Sequence, residues 1–95
     1  MRLELRYGAV QGSVRQYWLE DALTLGADAR CDVVLLDQSA DPFHARIVRE
    51  GGMLYIEDLN SSSGTRLGGM RIYARNPLRP GDEIQLGNTG FVFWF

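Results

Sequence analysis

The feature that most restricts the fold is an alternation of apolar and polar residues with a period of two. In residues 2–7 the apolar side chains alternate with charged ones, which would place each set on its own face of a strand. Residues 45–49 and 53–57 alternate in the same way on either side of Gly51 and Gly52, a pair that favours a hairpin turn. No segment shows helical apolar spacing beyond two turns, so the pattern predicts an all-β chain.

The same reasoning predicts about ten short strands separated by turn residues. They cover residues 2–7, 14–19, 22–26, 33–36, 45–49, 53–57, 66–67, 71–73, 83–86 and 91–95. Residues 33–36 form a continuous apolar run, which is typical of a fully buried strand. Gln11-Gly12 is predicted to reverse the chain, and Pro77, Pro80 and Gly81 are predicted to mark turns. Many short strands with essentially no helix indicate a β-sandwich.

The length of 95 residues predicts one domain, 1–95, because so short a chain can build only one apolar core. Its hydrophobic share of 45% and charged share of 23% are typical of a folded protein. The chain stops on Phe95, still within an apolar strand, so we expect a fragment or the N-terminal domain of a longer protein.

The charge pattern argues against a nucleic-acid partner. The net charge is −2, and all ten basic residues are arginines interspersed with twelve acids, so no concentrated basic face is expected. The densest group is Arg66, Arg71, Arg75 and Arg79, which could be solvated side chains or a surface for an anionic partner. No run is long and apolar enough to span a bilayer, and the N-terminus does not have the pattern of a signal peptide. We therefore expect a cytoplasmic location, either as a free protein or as the cytoplasmic domain of a larger membrane-associated protein.

Cofactor and enzyme chemistry are not expected. Cys31 is the only cysteine and His44 the only histidine, which excludes an internal disulfide and a zinc site built from them. No activated nucleophile with a base and an orienting acid can be assembled around His44. The sequence therefore predicts neither a metal nor a cofactor, and a binding module in place of an enzyme.

Four segments, in this order and at these spacings, resemble the forkhead-associated (FHA) domain over residues 23–93. They are Leu25-Gly26 followed by residues 31–35, Ser39 leading to His44-Ala45-Arg46-Ile47, the loop Asp58-Leu59-Asn60-Ser61-Ser62-Ser63-Gly64-Thr65, and Leu78 followed by Gly81-Asp82 and Leu86-Gly87. The resemblance implies an eleven-stranded β-sandwich with antiparallel and mixed pairing, whose loops at one end bind phosphothreonine peptides. It also implies structural roles for Gly26, His44, Gly64 and Thr65.

The residues that should hold the phosphate are partly replaced. By the resemblance, Ala27 stands where the family has its phosphate-binding arginine, and Asp41 where it has a donor serine. An ionised Asp41 offers no donor and repels an anion. Ser63 replaces the family's asparagine, while Ser62 keeps a hydroxyl in the same loop.

Two functions remain open at this point. The first is a protein-interaction module with weakened or absent phosphothreonine dependence, for scaffolding or signalling. The second is a working phosphothreonine-peptide binder that uses Arg30 as a substitute cation with Ser62 and Ser63, and Arg66 could serve as a cation in the same way. The expected partner is a protein or a phosphopeptide, and the oligomeric state stays open.

Overall fold

The computed structural model describes residues 1–7 and 13–95, which form eleven strands and no helix. The strands are β1 (Arg2–Tyr7), β2 (Val14–Trp18), β3 (Ala22–Gly26), β4 (Val33–Val34), β5 (Ala45–Glu50), β6 (Met53–Asp58), β7 (Thr65–Leu67), β8 (Met70–Ile72), β9 (Asn76–Leu78), β10 (Glu83–Leu86) and β11 (Thr89–Trp94). They form a six-stranded sheet in the order β2-β1-β11-β10-β7-β8 and a five-stranded sheet in the order β4-β3-β5-β6-β9. The predicted all-β sandwich is confirmed.

The period of two determines which side chains enter the core. Leu3 and Leu5 of β1 and Phe93 of β11 point inward from one sheet, and Ile47 and Ile56 point inward from the other. All five are at most 1% exposed. Each such side chain contributes about 1.5–3 kcal/mol by leaving water, so this core is the main source of stability.

Two strand predictions need correction. The apolar run 33–36 is not a fully buried strand, because β4 is a two-residue edge strand that pairs only with β3, in parallel. Val33 and Leu35 point inward, whereas Leu36 is 99% exposed. Pro77 lies in strand β9 and not in a turn. A proline is tolerated there because β9 is at the edge of its sheet and pairs on one side only. The predicted reversal at Gln11-Gly12 lies outside the described residues.

Three loops meet at one end of the sandwich, and we call this region the loop end. They are residues 27–32 after β3, residues 35–44 after β4 and residues 59–64 after β6. The N–H groups of Ala27 and Asp28 donate to the carbonyls of Asp41 and Pro42, at 2.9 and 3.1 Å. The Leu59 N–H donates to the carbonyl of His44 at 2.9 Å, so backbone hydrogen bonds join all three loops.

Within the described residues, no helix is long and apolar enough to cross a membrane.

Candidate functional site

His44 lies beneath the loop end and is completely buried. Its Nδ1 accepts a hydrogen bond from the Asp41 N–H at 3.0 Å, and its Nε2 lies 2.8 Å from the carbonyl oxygen of Gly64. Because a carbonyl can only accept, Nε2 carries the proton and the ring is the neutral tautomer. His44 therefore holds loop 35–44 against loop 59–64 by one bond to each.

Gly26 is required because the backbone of Pro42 passes close to it. A Cβ on Gly26 would lie 2.0 Å from the carbonyl oxygen of Pro42 and 2.7 Å from its carbonyl carbon. Gly64 has a φ of 89°, a conformation that favours glycine. The close backbone approach therefore requires glycine at position 26, and the left-handed backbone favours glycine at position 64.

Loop 59–64 is organised around the Asp58 carboxylate. This carboxylate accepts hydrogen bonds from the Ser61 N–H at 3.0 Å and from the buried Thr65 hydroxyl at 2.7 Å. Although burial acts in the opposite direction, the hydrogen bonds from Ser61 and Thr65 hold the pKa of Asp58 below its usual value. The loop thus presents Ser62 and Ser63 from a fixed base.

The hydroxyls of these two exposed serines point back to the protein. Oδ2 of Asp41 accepts from the Ser62 N–H at 2.9 Å and from the Ser62 hydroxyl at 3.2 Å. The Ser63 hydroxyl donates to the carbonyl of Ser39 at 2.7 Å. The structure therefore brings Asp41, Ser62 and Ser63 together, and the Asp41 carboxylate accepts hydrogen bonds from both donors of Ser62.

Of the two candidate cations, Arg30 belongs to loop 27–32 of the loop end, whereas Arg66 lies in strand β7. Arg30 forms a two-point ion pair with Asp28, at 3.0 and 3.1 Å, and its guanidinium carbon lies 5.1 Å from the centre of the Phe43 ring. Arg66 is exposed on β7, next to Gln85 and Arg71 in the register of the six-stranded sheet. Because Thr65 points inward, strand alternation places Arg66 on the outer face of this sheet and not among the loops.

A cation that the sequence analysis did not assign to the site lies beside loop 59–64. A Cβ on Gly64 would be 2.8 Å from Nε of Arg71, so the arginine side chain packs against this glycine. The same guanidinium lies over the Tyr73 ring, 5.0 Å from its centre. The only sequence signal for Arg71 was its place in the arginine-rich stretch, because its contact with Gly64 depends on the pairing of β7 with β8.

A second carboxylate ties loop 35–44 to the turn between β10 and β11. Asp37 accepts from the Ser39 hydroxyl at 2.6 Å, from the Thr89 hydroxyl at 2.7 Å and from the Asn88 N–H at 3.0 Å. These hydrogen bonds, with that from Ser39 the strongest cause, lower the pKa of Asp37 to about 2. Asp37 therefore stabilises the back of the loop end as an ionised group.

This pKa predicts an acid-dependent loss of stability. The folded pKa of Asp37 lies below the ordinary value, so its contribution is complete above about pH 4 and is lost as the pH falls through about 2. Asp37→Asn should cost about 1 kcal/mol at pH 7 and progressively less toward pH 2. Urea unfolding of parent and variant at several pH values measures the difference, and a difference that stays constant with pH would contradict this role.

Cys31 is a packing residue at this end of the molecule. Its thiol is buried and lies 3.2 Å from the carbonyl oxygen of Pro42. Burial raises the pKa of the thiol, so the nucleophilic thiolate is disfavoured. In the part of the chain that the structure describes, no cluster of three or more His, Cys, Asp or Glu side chains could hold a metal ion.

Comparison with known proteins decides the family. The family model of the FHA domain matches residues 23–87, which is more than half of the chain. The chain belongs to the FHA domain family. The resemblance found in the sequence is thereby confirmed, and members of this family are interaction modules that bind phosphothreonine peptides.

Two solved structures superpose on nearly the whole of this FHA domain. The FHA domain of CT664 from Chlamydia trachomatis superposes with a TM-score of 0.85 at 28% identity, covering 100% of this chain and 98% of that one. EmbR from Mycobacterium tuberculosis, solved in complex with a low-affinity phosphopeptide, superposes with a TM-score of 0.87 at 32% identity, covering 98% of this chain and 24% of EmbR.

A sequence relative is FraH from a Nostoc species. It is 45% identical over 51 residues, which make up 52% of this chain and 18% of FraH. The match thus covers less than a fifth of the length of that protein.

Proposed function

We propose that this FHA domain is a protein-interaction module that binds its partner through the loop end with weak or no dependence on phosphothreonine. The observation that carries the proposal is the state of Arg30, the arginine nearest in the chain to Ala27. Two nitrogens of its guanidinium donate hydrogen bonds to the Asp28 carboxylate, and its side chain is 77% exposed. The proposal assigns this chain no catalytic step.

Phosphate binding at a protein surface depends on charge-assisted hydrogen bonds, above all from a guanidinium fork. Ala27 cannot supply such a fork, and Arg30 would first have to exchange its two bonds to Asp28 for bonds to the phosphate. That exchange gains less than binding by an unpaired arginine would, because one anion replaces another. An unphosphorylated partner does not require it.

The side chains around the loops support a protein partner. Phe43 is 40% exposed and stacks with Arg30, and the adjacent Pro42 is exposed as well. Aromatic residues and arginine are enriched at protein interfaces, where their large surfaces are buried on binding. This apolar group offers contacts that do not require a phosphate on the partner.

The test is a binding titration with a threonine-centred peptide library in unphosphorylated and phosphorylated forms. We expect the parent protein to bind the two forms of a selected peptide with dissociation constants within about threefold of each other. Arg30→Ala should weaken both forms equally, because it removes the stack with Phe43. Arg49→Ala, an exposed arginine near the opposite end of β5, is the matched control and should change neither.

Two outcomes would overturn the proposal. A preference for the phosphorylated form of more than about tenfold that disappears in Arg30→Ala would make the domain a phosphothreonine binder that uses Arg30 with Ser62 and Ser63. Failure of the folded parent protein to select any peptide in either form would remove peptide binding by the loop end.

A further inference from the structure

We propose that Asp41 is a built-in anion that occupies an oxyanion site on Ser62, and that removing this carboxylate opens the site to a phosphate group from outside. The inference rests on the proposed function, because it gives the reason why the loop end discriminates so little between phosphorylated and unphosphorylated partners. It concerns how Asp41, a residue of the chain itself, controls which ligands the loop end accepts.

The contact has the form of a bound oxyanion. A single oxygen, Oδ2 of Asp41, accepts from both the backbone N–H and the hydroxyl of Ser62, at 2.9 and 3.2 Å. Two donors converging on one oxygen are the arrangement by which loops bind carboxylates and phosphates alike. The two residues are 21 positions apart in the sequence, so the contact joins separate loops.

Both partners are held in place by the surrounding structure. The Asp41 N–H donates to Nδ1 of His44 at 3.0 Å, and its carbonyl accepts from the Ala27 N–H at 2.9 Å. On the other side, the residues flanking Ser62 are anchored by the Ser61 N–H bond to Asp58 and the Ser63 hydroxyl bond to Ser39. A site whose donors are fixed before binding loses little entropy when an anion enters.

The charge at this site decides which ligands it accepts. Among the described residues no arginine forms an ion pair with Asp41, so its negative charge is balanced only by the donors of Ser62. A second anion at the same position would meet Coulomb repulsion and would find the Ser62 donors already engaged. The carboxylate therefore excludes a phosphate in two ways, by charge and by occupancy.

Arg71 supplies a positive charge beside loop 59–64. The Arg71 side chain packs against Gly64, two residues after Ser62. Because Arg71 is paired with Arg66 on the outer face of the sheet, its charge would act on an incoming oxyanion only from a distance, and the freed donors of Ser62 would make the direct contacts. The inherent preference of the empty site is thus for an anion.

The decisive variant is Asp41→Ser, which removes the charge and shortens the side chain, with Asp41→Asn as a neutral variant of the same size. Asp32→Ser is the matched control, because it removes another exposed carboxylate that bonds to Thr24 and not to Ser62. The probes are the phosphorylated and unphosphorylated forms of the threonine-centred peptides. We expect Asp41→Ser to bind the phosphorylated form at least about tenfold more tightly than the parent protein does, with little change for the unphosphorylated form.

An equal gain in affinity in Asp32→Ser would show that the effect comes from the overall charge of the protein, and it would overturn the proposal. The proposal would also be overturned if Asp41→Ser and Asp41→Asn were both folded and neither gained affinity for the phosphorylated form. Hydrogen exchange supplies a test that needs no variant. The Ser62 amide of the parent protein should exchange slowly, and exchange at the rate of an unbonded amide would contradict the carboxylate contact. Binding of unphosphorylated peptides by the parent decides the proposed function separately, so the two ideas can fail independently.

Discussion

Replacing Gly26 by alanine is expected to lower the free energy of unfolding by about 3 kcal/mol or more. The added Cβ would lie 2.0 Å from the Pro42 carbonyl oxygen and 2.7 Å from the carbonyl carbon, which are backbone atoms that cannot rotate away. The same carbonyl accepts the Asp28 N–H at 3.1 Å. The clash would therefore push loop 35–44 away from β3 and break the contacts between the loops.

Thermal unfolding measures this effect as a fall in Tm of about 12 °C or more for a domain of this size. Gly90→Ala is the matched control, because Gly90 also lies in a strand and its nearest atom to an added Cβ, the Ile84 carbonyl oxygen, is 4.0 Å away. The control should change stability by no more than about 0.5 kcal/mol. Equal stabilities of the two variants would show that the approach of Pro42 to Gly26 does not constrain the fold.

Much of the fold could be predicted because apolar and polar residues alternate in β1, β5 and β6, and this alternation indicates which face of each strand is buried. The exceptions lie where local pattern carries no information about neighbours. The run 33–36 is apolar throughout, yet only tertiary structure shows that β4 is an edge strand and that Leu36 faces solvent. Pro77 was predicted to mark a turn but lies in a strand, and the strand tolerates it because β9 is at the edge of its sheet.

The candidate site was predicted in its residue types and not in its contacts. The identities of Ala27 and Asp41 could be taken from the sequence, since the resemblance fixes their positions in the loops. The sequence predicted that Asp41 repels an anion, but the bond from Ser62 depends on how two distant loops meet. The ion pair of Arg30 with Asp28 likewise depends on the local turn of the backbone. The outward position of Arg66 follows from alternation after the buried Thr65, and strand period alone could have predicted it.

His44→Ala should lower the free energy of unfolding by about 4 kcal/mol. The change removes two hydrogen bonds, those with the Asp41 N–H and the Gly64 carbonyl, and Gly64 is itself buried. A buried polar group left without a partner costs about 1–3 kcal/mol, and the ring-sized cavity adds to this. Because each bond reaches a different loop, the cost should fall on the loop end as a whole.

Two measurements separate this tethering role from simple packing. Tm should fall by about 16 °C or more, whereas Ser63→Ala, which loses one exposed bond to the Ser39 carbonyl, should cost about 1 kcal/mol or less. Hydrogen exchange should accelerate at the Asp41 and Ser62 amides before it changes in β5 and β6, because the loops separate while the sheet still holds. Uniform acceleration across the sheet would mean that His44 supports only the core, and unchanged exchange at Asp41 would contradict its bond to the ring. Since His44 is one of the two groups that hold the Asp41 backbone, loosening of the loops should also weaken the bond between the Asp41 carboxylate and Ser62.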